Sequence, residues 1–593
     1  MLAALFKQYA KPLSFLSVLM AAVAAPYLIP ENPDSAVFRS GTLALLLLLA
    51  AASPVCAALK KHSLRALIYG SGFAFLFLLC LGVGNELRFY DQLLPGFGSL
   101  IRRFAVPLLA TPMTGSLISY AFAFTPKVSQ KKSLKIPFIA YFLLFFVCYT
   151  LVLLAFYPGV ICYDFEHEYT QYTTGIYQAA HPVFHTLFLG TIYHLGKAIF
   201  GSLMAGAALY SMVQLLLLAA MYAYACTFIQ RRVNRLWIML LLSAGFAILP
   251  FHGILAISTA KDPLFTGLCV LLTLWLWEIA EAPSAFLACK WRILRLGLCC
   301  ILMALLRHNG VFAYIPACLA VIVLCRSKRM RASVVCAVIL LCALFVPKGL
   351  EALMHATKTP SSEMMSIPCQ QLLRTAARAD ISQDERTEIG AWFSQAMHRY
   401  NPHCADAAKG GNFDFARYQA NPNEYWSMYF HYAKQQPRVY IEAFLENCAA
   451  LWNPDDTSHT EALAGESYDH VYLITEYYYE EGRFDLHRDS KLPKLQTIIY
   501  NSTHHADHQD MLLLSQLFCP ATYSFLLLLT TLMLLYKKCR HFALCTLPMW
   551  GIFISLLFSA GIFIRYAYPL ILTQIGRAVQ QECRDRSRMP SSA

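Results

Sequence analysis

YPGVICYDFEHEYTQYTTGIYQAAHPVFHTLFLG, residues 157–190, is the stretch around which the rest of the chain is organised. The apolar run before it, PFIAYFLLFFVCYTLVLLAFY from Pro137 to Tyr157, is long enough to cross a bilayer. Pro158 and Gly159 stop it, because proline cannot continue a helix and glycine permits a sharp redirection. Asp164, Glu166, His167 and Glu168 follow at once. Carboxylates and an imidazole at the end of a span are costly to bury in lipid, which predicts that the segment lies in water or at the headgroup level.

The composition around this stretch decides the class. The chain has 593 residues, 58% of them hydrophobic and 14% charged, with a mean hydropathy of +0.48, values that point to an all-α polytopic membrane protein. The net charge of +13 comes from short Lys and Arg clusters between apolar runs, where it sets orientation, so nucleic acid is not an expected partner. The 20 cysteines fall mostly in apolar runs without paired metal spacing and read as small hydrophobes. Cys369 and Cys404, both outside the spans, are left open as a pair or as free thiols. Lys7 and Lys11 precede an apolar run with no convincing cleavage pattern, so the first span is read as retained.

Apolar runs begin near Pro12, Thr42, Ala66, Phe104 and Pro137, then near Ser202, Leu236, Pro263, Leu294, Val311 and Ala332, and last near Pro520 and Phe542. With the N-terminus inside, every basic cluster falls on the cytoplasmic side, from Lys60, Lys61 and Arg65 through Lys127, Lys131, Lys132 and Lys135 to Lys537, Lys538 and Arg540. That parity requires Val183 to Phe200 not to cross. Phe165, Tyr169, Tyr172 and Ile176 recur at helical spacing opposite Glu166, Thr170 and Thr174, which predicts an interfacial helix, and the segment after His181-Pro182 a second. About thirteen crossings result.

The organisation is therefore N-terminal spans over 1–136, a membrane core over 137–350 with the outer loop 158–201, a mostly helical extracytoplasmic domain over 351–517, C-terminal spans over 518–574, and a tail over 575–593. The outer domain contains aromatics such as Tyr477, Tyr478 and Tyr479 among acids, and a helix predicted from Asn423 to Leu451. The tail, IGRAVQQECRDRSRMPSSA, reads as a translated sequencing adapter, and the natural chain is expected to continue past residue 574.

Once this topology is drawn, the polar residues hardest to explain structurally share the outer side: Asp164, Glu166, His181, Lys261, Asp262, Arg307, His308, Asn309, Arg565 and Tyr566. A carboxylate and several cations beside a lipid surface suit group transfer from a lipid-linked phosphate, in which Lys or Arg holds the leaving phosphate and a carboxylate takes the proton of the attacking hydroxyl. Asp164 is the candidate catalytic base. Lys261, Arg307 and His308 are the candidate phosphate ligands, with Glu166, His181, Asp262, Asn309, Arg565 and Tyr566 in support. Structural readings stand beside each role. Asp164 suits a helix N-cap and His181 a turn before Pro182; Lys261-Asp262 suits an interfacial ion pair, and Arg307, His308, Arg565 and Tyr566 suit headgroup anchors.

YPGVICYDFEHEYTQ followed by HP, then KD, RHNG, SIPCQQ and RYAYP resemble, in this order, a family of uncharacterised bacterial polytopic membrane proteins similar to the polyprenyl-phosphate-sugar-dependent glycosyltransferases of the GT-C class. The resemblance runs from about Pro137 to Pro569. It implies an acidic base in the first large outer loop, matching Asp164, a polyprenyl-phosphate-linked sugar as donor, and an envelope glycan, lipid or protein as acceptor. It also implies a place in the bacterial cytoplasmic membrane with the active face extracytoplasmic. That class sometimes uses a divalent cation such as Mg or Mn, for which Asp164, Glu166 and His181 are the candidate ligands, although no spacing demands one. Two other classes compete: a transporter or lipid flippase, which usually places charge or broken helices at the midplane, and a non-catalytic envelope-assembly protein.

Overall fold

The computed structural model describes residues 2–28, 41–124, 135–233, 235–358, 364–393, 400–409, 413–455, 459–461, 467–469, 479, 483–503 and 514–573. Lys127, Lys131, Lys132, Tyr477, Tyr478 and the whole tail over 575–593 lie outside the described residues.

The described chain is mostly helical, with short connecting turns, isolated bridges and one short antiparallel strand pair that sets Thr460 opposite Tyr468. Leu, Ala and Phe runs make the helices, and the caps are read from the flanks. The first four long ones are α1 (Ala10–Leu28), α2 (Gly41–Lys61), α3 (Leu64–Tyr90) and α4 (Phe97–Ala123). Ser63 caps α3 by accepting from the Ala66 N–H, and Asp91 ends it in the left-handed conformation. Then come α5 (Phe138–Ala155), α6 (Asp164–Thr174), α7 (Val183–Phe200), α8 (Leu203–Gln230), α9 (Leu236–Ile248), α10 (Pro250–Ala256) and α11 (Asp262–Glu281). They are followed by α12 (Lys290–Leu306), α13 (Val311–Leu324), α14 (Arg329–Leu353), α15 (Ser366–Arg378), α16 (Pro422–Gln435), α17 (Pro437–Asn447), α18 (Pro520–Tyr536), α19 (Leu547–Leu557) and α20 (Ile564–Thr573).

Among the described residues seven helices are long and apolar enough to cross a membrane, and eight if the bent pair α9 and α10 is one span. The bend is 56° and falls at Leu249-Pro250, where proline has no N–H to carry the helix on. The seven include α3, α4, α5, α8 and α11, but neither α6 nor α7. The most enclosed is α11: 78% of its apolar window is buried against the rest of the chain, against 17% for the span that contains α14, so α11 is the axis around which the others pack. One large core joins α5, α8, α10, α11, α12, α13, α19 and α20, and residues 365–440 have a second core of their own around Leu372, Trp392, Tyr425 and Tyr432.

Three expectations are corrected. The helix predicted from Asn423 to Leu451 is broken into α16, α17 and a short turn at Ala449–Trp452, because Pro437 opens a new helix at its own N-terminus. Ile176 does not continue the apolar stripe of α6: Gly175 ends the helix at φ +71°, and Ile176 is 72% exposed. Nor is the acidic segment wholly in water or at the headgroups, since Glu168 is fully buried between α6, α7 and the start of α11. Cys369 and Cys404 are both free thiols.

Candidate functional site

The elbow after α5 and the break before α11 build the site together. Val160 donates its N–H to the Ile257 carbonyl at 3.1 Å and accepts from Thr259 N–H at 2.9 Å, a parallel bridge between two extended segments. Gly159 makes the approach possible. Its φ is +143°, and a Cβ there would stand 2.1 Å from Ser211 Oγ and 2.9 Å from the Ile257 carbonyl. Ser211 Oγ, 3.1 Å from both the Pro158 and Ile257 carbonyls, bonds the two segments, and the Cys162 N–H reaches Thr259 Oγ1 at 2.8 Å. From that shared register one segment runs on into α6 and the other into α11, so Asp164 and Lys261 meet at the two helix starts.

Lys261 is the centre of the cluster. Its Nζ stands 2.9 Å from Asp164 Oδ2, 3.4 Å from Glu168 Oε1 and 3.2 Å from His181 Nδ1, three acceptors for the three protons of an ammonium. His181 therefore accepts on Nδ1 and keeps its proton on Nε2. Asp164 also faces Arg565 at 3.9 Å. Arg565 donates to Tyr566 Oη at 3.0 Å, and Arg565 and Arg307 both lie over the Tyr566 ring, at 4.8 and 4.9 Å. Arg307 is ion-paired with Asp262, the residue after Lys261. His308 turns to the Ala179 carbonyl at 3.0 Å and braces the loop that carries His181. Asn309 lies in the same short turn, with no hydrogen-bond partner for its buried Oδ1 among the described residues.

Asp164 makes no side-chain cap; it sits in the first turn of α6, where the helix dipole favours its charge, and spends that charge on Lys261. Lys261 pairs with Asp164 and not with its neighbour Asp262. Arg565 is no surface anchor, since its side chain is 13% exposed and its Nε has no hydrogen-bond partner among the described residues. His181 is both a loop residue and a partner of Lys261.

Glu168, not Glu166, meets Lys261. It sits one helical turn after Asp164, and that i, i+4 spacing was the available signal. The residues behind it left none: His185 Nδ1 lies 2.6 Å from Glu168 Oε2, His185 Nε2 2.9 Å from Tyr210 Oη, and Tyr210 Oη donates to Gln214 Oε1 at 3.2 Å.

The electrostatics follow from burial and charge together. Burial would raise the Asp164 carboxyl, but Lys261, Arg565 and His181 outweigh it and hold it well below the ordinary carboxylate range. Glu168 is lowered in the same way, burial being outweighed by His185 and Lys261. Burial works against the Lys261 ammonium, and Asp164 and Glu168 reverse this and raise its pKa. His181 is lowered, first by burial and then by Lys261. Asp164 and His181 are thus both occupied by an ammonium, and among the described residues no three His, Cys, Asp or Glu side chains are disposed to hold a metal ion. Asp164, Glu166 and His181 do not form such a set here.

A family model described as a family of unknown function (DUF6020) matches residues 169–590, well over half of the chain, and the chain belongs to that family. The match takes in His181, Lys261, Arg307 and Arg565 and begins just after Glu168. No curated protein and no solved structure matches the chain.

Proposed function

We propose that this DUF6020 protein is an integral-membrane glycosyltransferase of the bacterial cytoplasmic membrane, moving a sugar from a polyprenyl-phosphate donor to an envelope acceptor on the extracytoplasmic face. The observation that carries the reading is the direct contact of Asp164 with Lys261, with Arg565 and Arg307 close behind, at one end of an apolar helix bundle. In the reaction the acceptor hydroxyl attacks the anomeric carbon, the bond from that carbon to the phosphate oxygen breaks, and a glycosidic bond forms. Asp164 takes the hydroxyl proton, and Lys261, Arg307 and Arg565 hold the charge left on the polyprenyl phosphate.

The resting cluster explains how a strongly acidic carboxyl serves as a base. All three protons of Lys261 are engaged, so a phosphate gains one only by displacing an acceptor. Asp164, 24% exposed, yields more readily than the enclosed Glu168. A displaced Asp164 loses its main cationic partner, and its proton affinity rises as the donor arrives.

A second reading, a transporter or lipid flippase, is favoured by the broken helix α9–α10 and by its buried His252, whose Nδ1 lies 2.7 Å from Tyr568 Oη. The test separates the two. Purified protein is incubated with a panel of polyprenyl-phosphate sugars, and release of polyprenyl phosphate is followed in wild type and Asp164→Asn. The proposal expects release that falls at least a hundredfold in the variant. A folded protein that releases nothing from any donor, yet moves the lipid across a vesicle membrane, refutes it in favour of transport.

A further inference from the structure

The hydrogen bonds behind Lys261 fix where protons sit. Gln214 Nε2 faces three backbone carbonyls, Leu255 at 3.1 Å, Ala256 at 3.3 Å and Ser258 at 2.6 Å. Only the amide nitrogen suits that place, so Oε1 must face Tyr210, and the one hydrogen able to fill the gap is the Tyr210 hydroxyl's own. The Tyr210 oxygen is then left to accept, and the contact at 2.9 Å requires His185 to carry its proton on Nε2. The remaining contact, 2.6 Å from His185 Nδ1 to Glu168 Oε2, requires a proton as well. Whichever side holds it, Glu168 and His185 together carry no net charge.

We infer that Glu168 and His185 share one proton, so that Glu168 does not neutralise Lys261, and the cluster keeps one uncompensated positive charge that makes it a seat for a singly charged anion. The count is short. Lys261 and Arg565 face Asp164 alone, the Glu168–His185 pair is neutral, His181 accepts from Lys261 and is neutral, and Asp262 cancels Arg307. A spare donor stands beside the two guanidinium groups over Tyr566, where Arg565 Nε has no hydrogen-bond partner among the described residues. A phosphodiester, with one charge at neutral pH, fits this seat. The ligand assignment rests on the reading of the cluster as a phosphate site, while the proton assignment stands without it.

The test measures anion binding and not sugar transfer, so the two readings fail separately. Dibutyl phosphate is titrated calorimetrically into the purified full chain near pH 7.5, in two buffers of different ionisation heat. Binding with no proton uptake is expected, because the positive charge is already present. Uptake of close to one proton per anion, or no binding, overturns the inference. His185→Gln strips the proton from the pair and leaves Glu168 to neutralise the seat, so binding weakens at least tenfold. The double variant Glu168→Gln/His185→Gln restores the charge and recovers most of that loss. A double variant that is folded and binds no better than His185→Gln also overturns the inference, and where the variants do not fold, the wild-type proton count decides alone.

Discussion

Replacing Lys261 by Met removes the one group that Asp164, Glu168 and His181 share. The methionine keeps much of the side-chain length and loses the charge, so the loss is electrostatic rather than a cavity. Glu168 still has His185 at 2.6 Å, whereas Asp164 keeps only Arg565 at 3.9 Å, and its carboxylate is the group left short of a partner. With Lys261 11% and Asp164 24% exposed, breaking the pair falls in the range for buried ion pairs, a loss of about 3–5 kcal/mol. The assay is denaturant or thermal unfolding of the detergent-solubilised protein, comparing Lys261→Met with Lys261→Met/Asp164→Asn. Most of the cost is a carboxylate left without a hydrogen-bonded partner, with Arg565 too distant to supply one, so adding Asp164→Asn should return roughly 1–2 kcal/mol. A single variant as stable as wild type, or a double variant no better than the single, refutes the account.

Acid should weaken the same cluster. Asp164 and Glu168 have folded pKa values below their ordinary ones, so their contribution is whole above about pH 4–5 and falls as pH drops through the folded values, a loss that Asp164→Asn should reduce in a pH series of unfolding midpoints. On α17 Glu446 behaves in the opposite sense. Burial first, then Asp91 and Glu442, push it up to about 8 despite Arg374, so stability is full below its ordinary 4.5 and declines as pH rises toward 8. The expected slope is about 1.4 kcal/mol per pH unit inside that window, and Glu446→Gln should flatten it in proteolysis of the segment over 351–517. Gly159→Ala forces a Cβ into Ser211 Oγ at a backbone angle that side chains rarely adopt, which should cost about 2 kcal/mol or more. Size-exclusion profiles of the expressed protein check it, and a normal profile and midpoint for the variant would be the contrary result.

The membrane class was legible because apolar length and charge placement are local properties of the chain, and the elbow at Pro158-Gly159 was legible because both residues act on their own backbone. The gathering of Asp164 with Lys261 was visible only as shared sidedness. Its cause, the parallel bridge between Val160 and Ser258, is a pairing across nearly a hundred positions that no periodicity announces. His185 illustrates the limit. Placed among Val183, Phe184, Leu187 and Phe188 it reads as a stray polar residue, and its work is defined by Tyr210 and Gln214 on another helix. Pro437, by contrast, carried its break in plain sight, and a long helical pattern obscured it.

The segment over 351–517 is bonded to the helix bundle at several places, and two of them flank the site. Thr357 exchanges hydrogen bonds with Tyr177 and Ala179, just ahead of His181, and Asp406 and Asn447 hold the Ala560 and Ser559 carbonyls, just ahead of Arg565. One segment therefore reaches the chain on both sides of Lys261, ahead of His181 and ahead of Arg565. His181 and Arg565, on two different stretches of the bundle, are thus each held in part by a segment that has its own apolar core.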